Sequence, residues 1–126
     1  MENFFIEKTT RIKVTSQDID DIMASALEGG ITYWCYKAKV VGEYLGEYAS
    51  EQISHNGVLL LYDNEDCSIY ELTLEKFLNG ITKAITENYF VSYEWFNDKE
   101  IDTCQVDAEV ADCIVQLALF GDVIYG

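Results

Sequence analysis

Residues 58–72, VLLLYDNEDCSIYEL, decide how this chain is read. Two apolar runs, Val58 to Tyr62 and Cys67 to Leu72, flank the polar Asp63-Asn64-Glu65-Asp66. Short apolar runs joined by a polar loop predict an antiparallel hairpin. Asn56-Gly57, a dipeptide that tolerates left-handed turn backbone, marks the approach to the first strand. Directly after the hairpin Thr73 can cap a helix. Leu74, Phe77, Leu78, Ile81, Ala84 and Ile85 then recur at the spacing of one helical face. That helix is expected to end near Asn88.

Upstream, Phe4 to Thr15 reads as a strand, with Thr10, Ile12 and Val14 on one face and Arg11 and Lys13 on the other. Thr15 and Asp18 have the spacing of a capping box, and Ile19, Ile22, Met23, Ala26 and Leu27 form the stripe of a helix. Gly29-Gly30 stops it, one glycine being expected in the left-handed C-cap conformation. Ile31 to Tyr36 is an aromatic patch. From Lys37 to Ser54, Val40, Val41, Tyr44, Leu45, Tyr48 and Ala49 have helical spacing that Gly42 and Gly46 interrupt, which predicts short helical pieces.

Downstream, Tyr89 to Phe96 reads as a strand and Asn97 to Asp102 as a polar turn. Asp107 caps a last helix to about Phe120, with Val110, Cys113, Ile114, Leu117 and Ala118 facing inward and Gly121 closing it. Val123 to Tyr125 is expected to return to the sheet. Strands and helices alternate irregularly and the hairpin is antiparallel. The reading is therefore α+β: a small, mostly antiparallel sheet packed with about three main helices.

The chain has 126 residues, which suits one domain over 1–126, and at 49% hydrophobic it can build a core. With 23 acidic and 8 basic residues its formal net charge is −15, and Arg11 is the only arginine. Phosphate contacts need clustered Lys and Arg, so direct nucleic-acid binding and anionic membranes are excluded as partners. A basic protein, by contrast, is steered towards such a surface. The N-terminus MENFFIEKTT lacks a basic, then apolar, leader pattern, and no apolar run reaches membrane-spanning length. Cys35, Cys67, Cys104 and Cys113 are therefore read as reduced thiols of a cytoplasmic protein.

Residues that could carry chemistry are few. His55 is the only histidine and sits in a turn, and the cysteines lack the paired spacing of a zinc site. No glycine-rich phosphate loop is present. No catalytic residue, metal ligand or cofactor is assigned. Carboxylates are abundant instead: Glu43, Glu47 and Glu51 recur every four residues, as if along one side of a helix, and Asp63, Glu65 and Asp66 share a loop. Aromatics form two groups, one running from Tyr33 to Tyr48 and one from Tyr89 to Phe96. Such groups either fill a core or anchor a partner.

The phrases VTSQDIDDIMASALEGGITYWC, VVGEYLGEYASEQIS and CQVDAEVADCIVQLALFGDVIYG resemble a group of small acidic proteins of Clostridia and related Firmicutes, encoded in prophages and other mobile elements. Members of that group carry a basic residue and a second glycine where this chain has His55-Asn56. The resemblance implies a phage-type inhibitor of bacterial immunity that acts by binding in the host cytosol, alone or as a homo-oligomer. Two modes fit. One is an acidic surface that imitates nucleic acid on a basic host defence protein, with Glu43, Glu47, Glu51, Asp63, Glu65 and Asp66 as its candidates. The other is an aromatic pocket that sequesters a small nucleotide signal, with Arg11, Trp34, Tyr36, Lys37, His55 and Trp95 as its candidates. A third reading is a small metal- or nucleotide-dependent enzyme.

Overall fold

The computed structural model describes residues 11–87, 95–97 and 99–126. Within them the fold is α+β. Helix α1 spans Ser16–Ser25, strand β1 Cys35–Val40, strand β2 Leu59–Asp63, strand β3 Ile69–Leu72, helix α2 Leu74–Thr86 and helix α3 Ala108–Phe120. The strands form one antiparallel sheet in the order β1-β2-β3.

The helix starts follow from local chemistry. The Thr15 amide donates to Asp18 Oδ2 (2.9 Å) and the Asp18 amide to Thr15 Oγ1 (3.0 Å), which completes the capping box. Thr73 and Asp107 cap α2 and α3, accepting from the amides of Lys76 and Val110. Gly121 closes α3 in the left-handed conformation at φ 73°.

The end of α1 departs from expectation. Neither Gly29 nor Gly30 takes positive φ; the chain continues through a π turn, Ala26–Gly30. Gly30 is needed for close approach instead, since a Cβ there would stand 2.6 Å from the Ala108 carbonyl oxygen. Gly30 alone makes the packing contact between the π turn and α3, since a Cβ on Gly29 would meet nothing within 4 Å.

The larger correction concerns Lys37 to Ser54. In place of helical pieces the chain forms β1, a loop, and one short 3-10 turn, Ala49–Glu51. Sheet pairing overrides the helical spacing: β2 is buried at Leu59, Leu61 and Asp63, and β1 pairs along it, Val40 opposite Leu59 and Ala38 opposite Leu61. Val41, Tyr44, Leu45 and Tyr48, the face of the expected helix, are exposed.

The expected strand at Phe4 to Thr15 lies largely outside the described residues; within them Lys13 makes one parallel bridge to Glu100. The Tyr89 to Phe96 strand is described only at Trp95 and Phe96. The polar turn that follows is formed, with the Asn97 side chain accepting from the amides of Lys99 and Glu100. Val123 to Tyr125 returns towards the sheet but does not pair with it.

Helix α3 is the centre of the molecule, against α2, the π turn and β3. It is buried without interruption from Val110 to Leu117. The apolar stripe accounts for one side of it. Asp112 and Gln116, one turn apart, are enclosed as well and must find partners inside.

Candidate functional site

Val41 donates its amide to the Val58 carbonyl (3.1 Å) at the end of the β1–β2 ladder, and residues 42–48 then form no regular element. Two side chains hold them. Gln52, 1% exposed, accepts the Leu45 amide at Oε1 (3.0 Å) and donates Nε2 to the Glu43 carbonyl (3.2 Å). Glu51 Oε1 accepts the amides of Glu47 (2.5 Å) and Tyr48 (3.2 Å). Gly46 lies flat on the Glu51 side chain, where a Cβ would approach its Oε1 to 2.6 Å. The space beneath the loop is thus filled by the buried Gln52 side chain. The large apolar side chains turn outward, with Tyr44 and Tyr48 each 60% exposed, beside the free carboxylates of Glu43 and Glu47.

Outward side chains of the sheet continue this surface. Ala38 and Val40 face the core, so Lys37 and Lys39 face solvent. Lys37 Nζ stands 5.2 Å from the centre of the Tyr62 ring, and the exposed Tyr36 lies 5.9 Å from the same ring.

The hairpin loop at the other end of the ladder is organised by Asp63, which is 2% exposed. Its carboxylate accepts the Tyr125 hydroxyl and the amides of Glu65 (2.7 Å) and Asp66 (3.4 Å). The Tyr125 bond first, then the amides, hold the Asp63 carboxyl below the usual carboxylate range, and the same contact pushes the Tyr125 hydroxyl up. Glu65 and Asp66 point to solvent.

The six carboxylates read as one acidic face therefore divide. Glu43, Glu47, Glu65 and Asp66 are exposed, whereas Glu51 and Asp63 are turned inward as loop anchors. Glu43, Glu47 and Glu51 share no helix.

The residues read as a ligand pocket divide more sharply. Trp34 is 2% exposed, donates Nε1 to Asp112 Oδ1 (2.9 Å) and is stacked under Tyr125, 4.9 Å between centres at 9°. Trp95 is fully buried against Phe96. Neither offers a face to a planar ligand. Tyr36 and Lys37 are neighbours on the sheet surface, Arg11 is exposed, and exposed His55 has Nδ1 2.8 Å from the Glu51 carbonyl. None of the six lines the cleft of about 580 Å³ beside Tyr33, Asp112 and Tyr125, or the apolar groove of about 620 Å³ along α2.

Sequence reasoning missed the buried network that this cleft borders. Asp112 accepts from Tyr33 (2.6 Å), Trp34 and Gln116 (2.9 Å). Gln116 Oε1 in turn accepts the amides of Ile124 and Tyr125, each at 2.8 Å. The signal was present: a polar pair at i, i+4 inside an otherwise apolar helix. Burial and the Asp112 carboxylate push the Tyr33 hydroxyl up to about 12. Burial pushes the Cys113 thiol to about 12 also. Both stay protonated at neutral pH, so neither the Tyr33 hydroxyl nor the Cys113 thiol is a ready nucleophile or base. Among the described residues, no group of His, Cys, Asp and Glu gathers as a metal site, and no helix is long and apolar enough to cross a membrane.

No family model, curated protein or solved structure matches the chain.

Proposed function

We propose that this protein works by binding, as an acidic module that docks onto a basic protein. The observation that carries the reading is the pair of internally anchored loops, which hold Glu43, Glu47, Glu65 and Asp66 in solvent, with none of them in an ion pair among the described residues. Val40 pairs with Leu59 and Cys35 with Asp63, so the loops stand at opposite ends of the β1–β2 ladder. Five strand residues separate those ends by roughly 17 Å. Carboxylates carried on backbone already held at such a spacing complement a basic surface with little cost for ordering the loops on binding.

Lys37 and Lys39 stand between the two loops, so the acids do not form the unbroken row that imitates a phosphate backbone. Docking by two acidic ends fits better than continuous mimicry. On the resemblance read in the sequence to small clostridial mobile-element proteins, the partner we propose is a basic bacterial defence effector.

Affinity capture from a bacterial lysate tests this, with the wild-type chain run beside Glu65→Gln/Asp66→Asn and Glu43→Gln/Glu47→Gln. A basic protein should be retained by the wild type, released between about 0.05 and 0.3 M salt, and retained several-fold less by each variant. Retention of the same proteins by all three chains, at any salt, would refute the proposal.

A further inference from the structure

We infer that the cleft beside Asp112 is a binding site for a primary ammonium group carried on an alkyl chain. The inference rests on the cleft itself and holds whether or not the acidic loops dock onto a basic protein.

Three observations meet there. The first is space. Gly29, Gly30 and Ala108 line the cleft with little or no side chain, which leaves about 580 Å³ open, within the size range of small-molecule sites. The second is charge. Asp112 lines the cleft and is 8% exposed. Its three partners, Tyr33, Trp34 and Gln116, are neutral donors, and a carboxyl that only accepts has the pattern of an ionised group. An enclosed carboxylate ordinarily has a counter-charge beside it. Here no Lys, Arg or His lines the cleft, and no ion pair reaches Asp112 among the described residues. Glu109, about one turn earlier on α3, lines the cleft as well. The third observation is the rim. Val123 and Ile124 line the cleft and are 36% and 56% exposed, although Gln116 holds the Ile124 amide. Aliphatic side chains kept in solvent on held backbone suit an apolar stem.

The open lone pair sets the kind of cation. Asp112 Oδ1 already accepts twice, from Trp34 Nε1 and Gln116 Nε2, each at 2.9 Å. Oδ2 accepts once, from the Tyr33 hydroxyl at 2.6 Å. One acceptor position therefore remains, on Oδ2. A guanidinium fork uses both oxygens of a carboxylate. An ammonium is a point charge that needs one, and it turns its other N–H groups towards Glu109 or water. Its methylenes then lie along Ala108, Cys113, Val123 and Ile124, as a lysine stem lies along apolar surface. Such a group has two sources, a lysine side chain of another protein and a free alkylamine. The net charge of −15 draws either one in.

Titration of the purified full chain tests this, at about 0.15 M salt and followed by calorimetry and by tryptophan fluorescence, since Trp34 donates to Asp112. n-Pentylamine and Nα-acetyl-lysine amide should each saturate, with dissociation constants of roughly 1 mM. Nα-acetyl-arginine amide should bind about fivefold more weakly or worse, and 1-pentanol should not saturate. Asp112→Asn keeps an acceptor for Trp34 and Gln116 and should weaken both amines by about tenfold or more. Glu109→Lys should do the same from the exposed start of α3, without touching the buried network, and circular dichroism checks that both variants fold. A lysine amide at least as tight as pentylamine assigns the site to protein side chains, and a weaker one assigns it to free alkylamines. No saturation by either amine, an arginine analogue as tight as the lysine one, or unchanged binding by either folded variant would overturn the inference. None of those results bears on the salt-dependent retention expected of the acidic loops.

Discussion

Gln52 and Gln116 do the same chemistry in two regions of this molecule, with opposite results. Each is fully enclosed, at 1% and 0% exposed, and each uses its carboxamide to satisfy the backbone of a segment that has no ladder or helix of its own. Gln116 takes the amides of Ile124 and Tyr125, and the C-terminal strap folds inward until the Tyr125 ring stacks on Trp34 and its hydroxyl reaches Asp63. Gln52 takes the Leu45 amide and the Glu43 carbonyl, and the aromatic side chains turn outward. The difference lies in what backs each segment. The strap crosses an aromatic recess, where Tyr125 also meets Phe120 edge-on. The loop crosses a floor already occupied by the Gln52 side chain. A buried amide therefore makes irregular backbone rigid, and the packing beneath decides whether its aromatics become core or surface.

The largest effect should come from Gln116→Ala. It orphans the Ile124 and Tyr125 amides and strips a donor from Asp112, so a loss of about 3 kcal/mol is expected by urea unfolding, with the Trp34 fluorescence changed as the strap loosens. Gln52→Ala should cost less, about 1–2 kcal/mol, because the loop it holds borders solvent. Its signature should be local: faster hydrogen exchange at the Leu45 amide while the core stays protected. Equal losses for the two variants would break the comparison.

The smallest effect concerns pH. The Asp63 carboxyl is held below its ordinary value in the folded chain, so its stabilising contribution is complete above the usual carboxylate range. It is lost as pH falls through the depressed folded value. Asp63→Asn should therefore flatten the fall in stability between about pH 5 and pH 2, measured by thermal melts, while leaving the loop that Gln52 holds unaffected. A variant as steeply acid-sensitive as the wild type would show that the strap does not depend on this carboxylate.

The carboxylates and aromatics show how far the site could be read from residues alone. Thr15 with Asp18, Thr73 and Asp107 all act within three residues of themselves, and they cap the helices as their spacing implies. Glu51 and Asp63 also act locally, but on loop backbone whose course depends on β1 and β2 meeting. Their spacing therefore suggested a charged face where the structure has two anchors. Trp34 and Tyr36 are two residues apart and alike in composition. One lies under Tyr125 and the other in solvent, a distinction made by a residue 91 positions from Trp34 along the chain, taking 125 less 34.

By itself the sequence determined the α+β class, the hairpin, the caps of all three described helices and the excess of negative charge. These rest on period, on contacts across a turn or less, and on composition. Only the tertiary structure decided that Lys37 to Val40 is a strand, that Asp112 and Gln116 tie down the C-terminal strap, and that the 41–48 loop shows its aromatics to solvent. Each of those outcomes depends on which distant segment fills the space alongside, and no window of neighbouring residues contains that information.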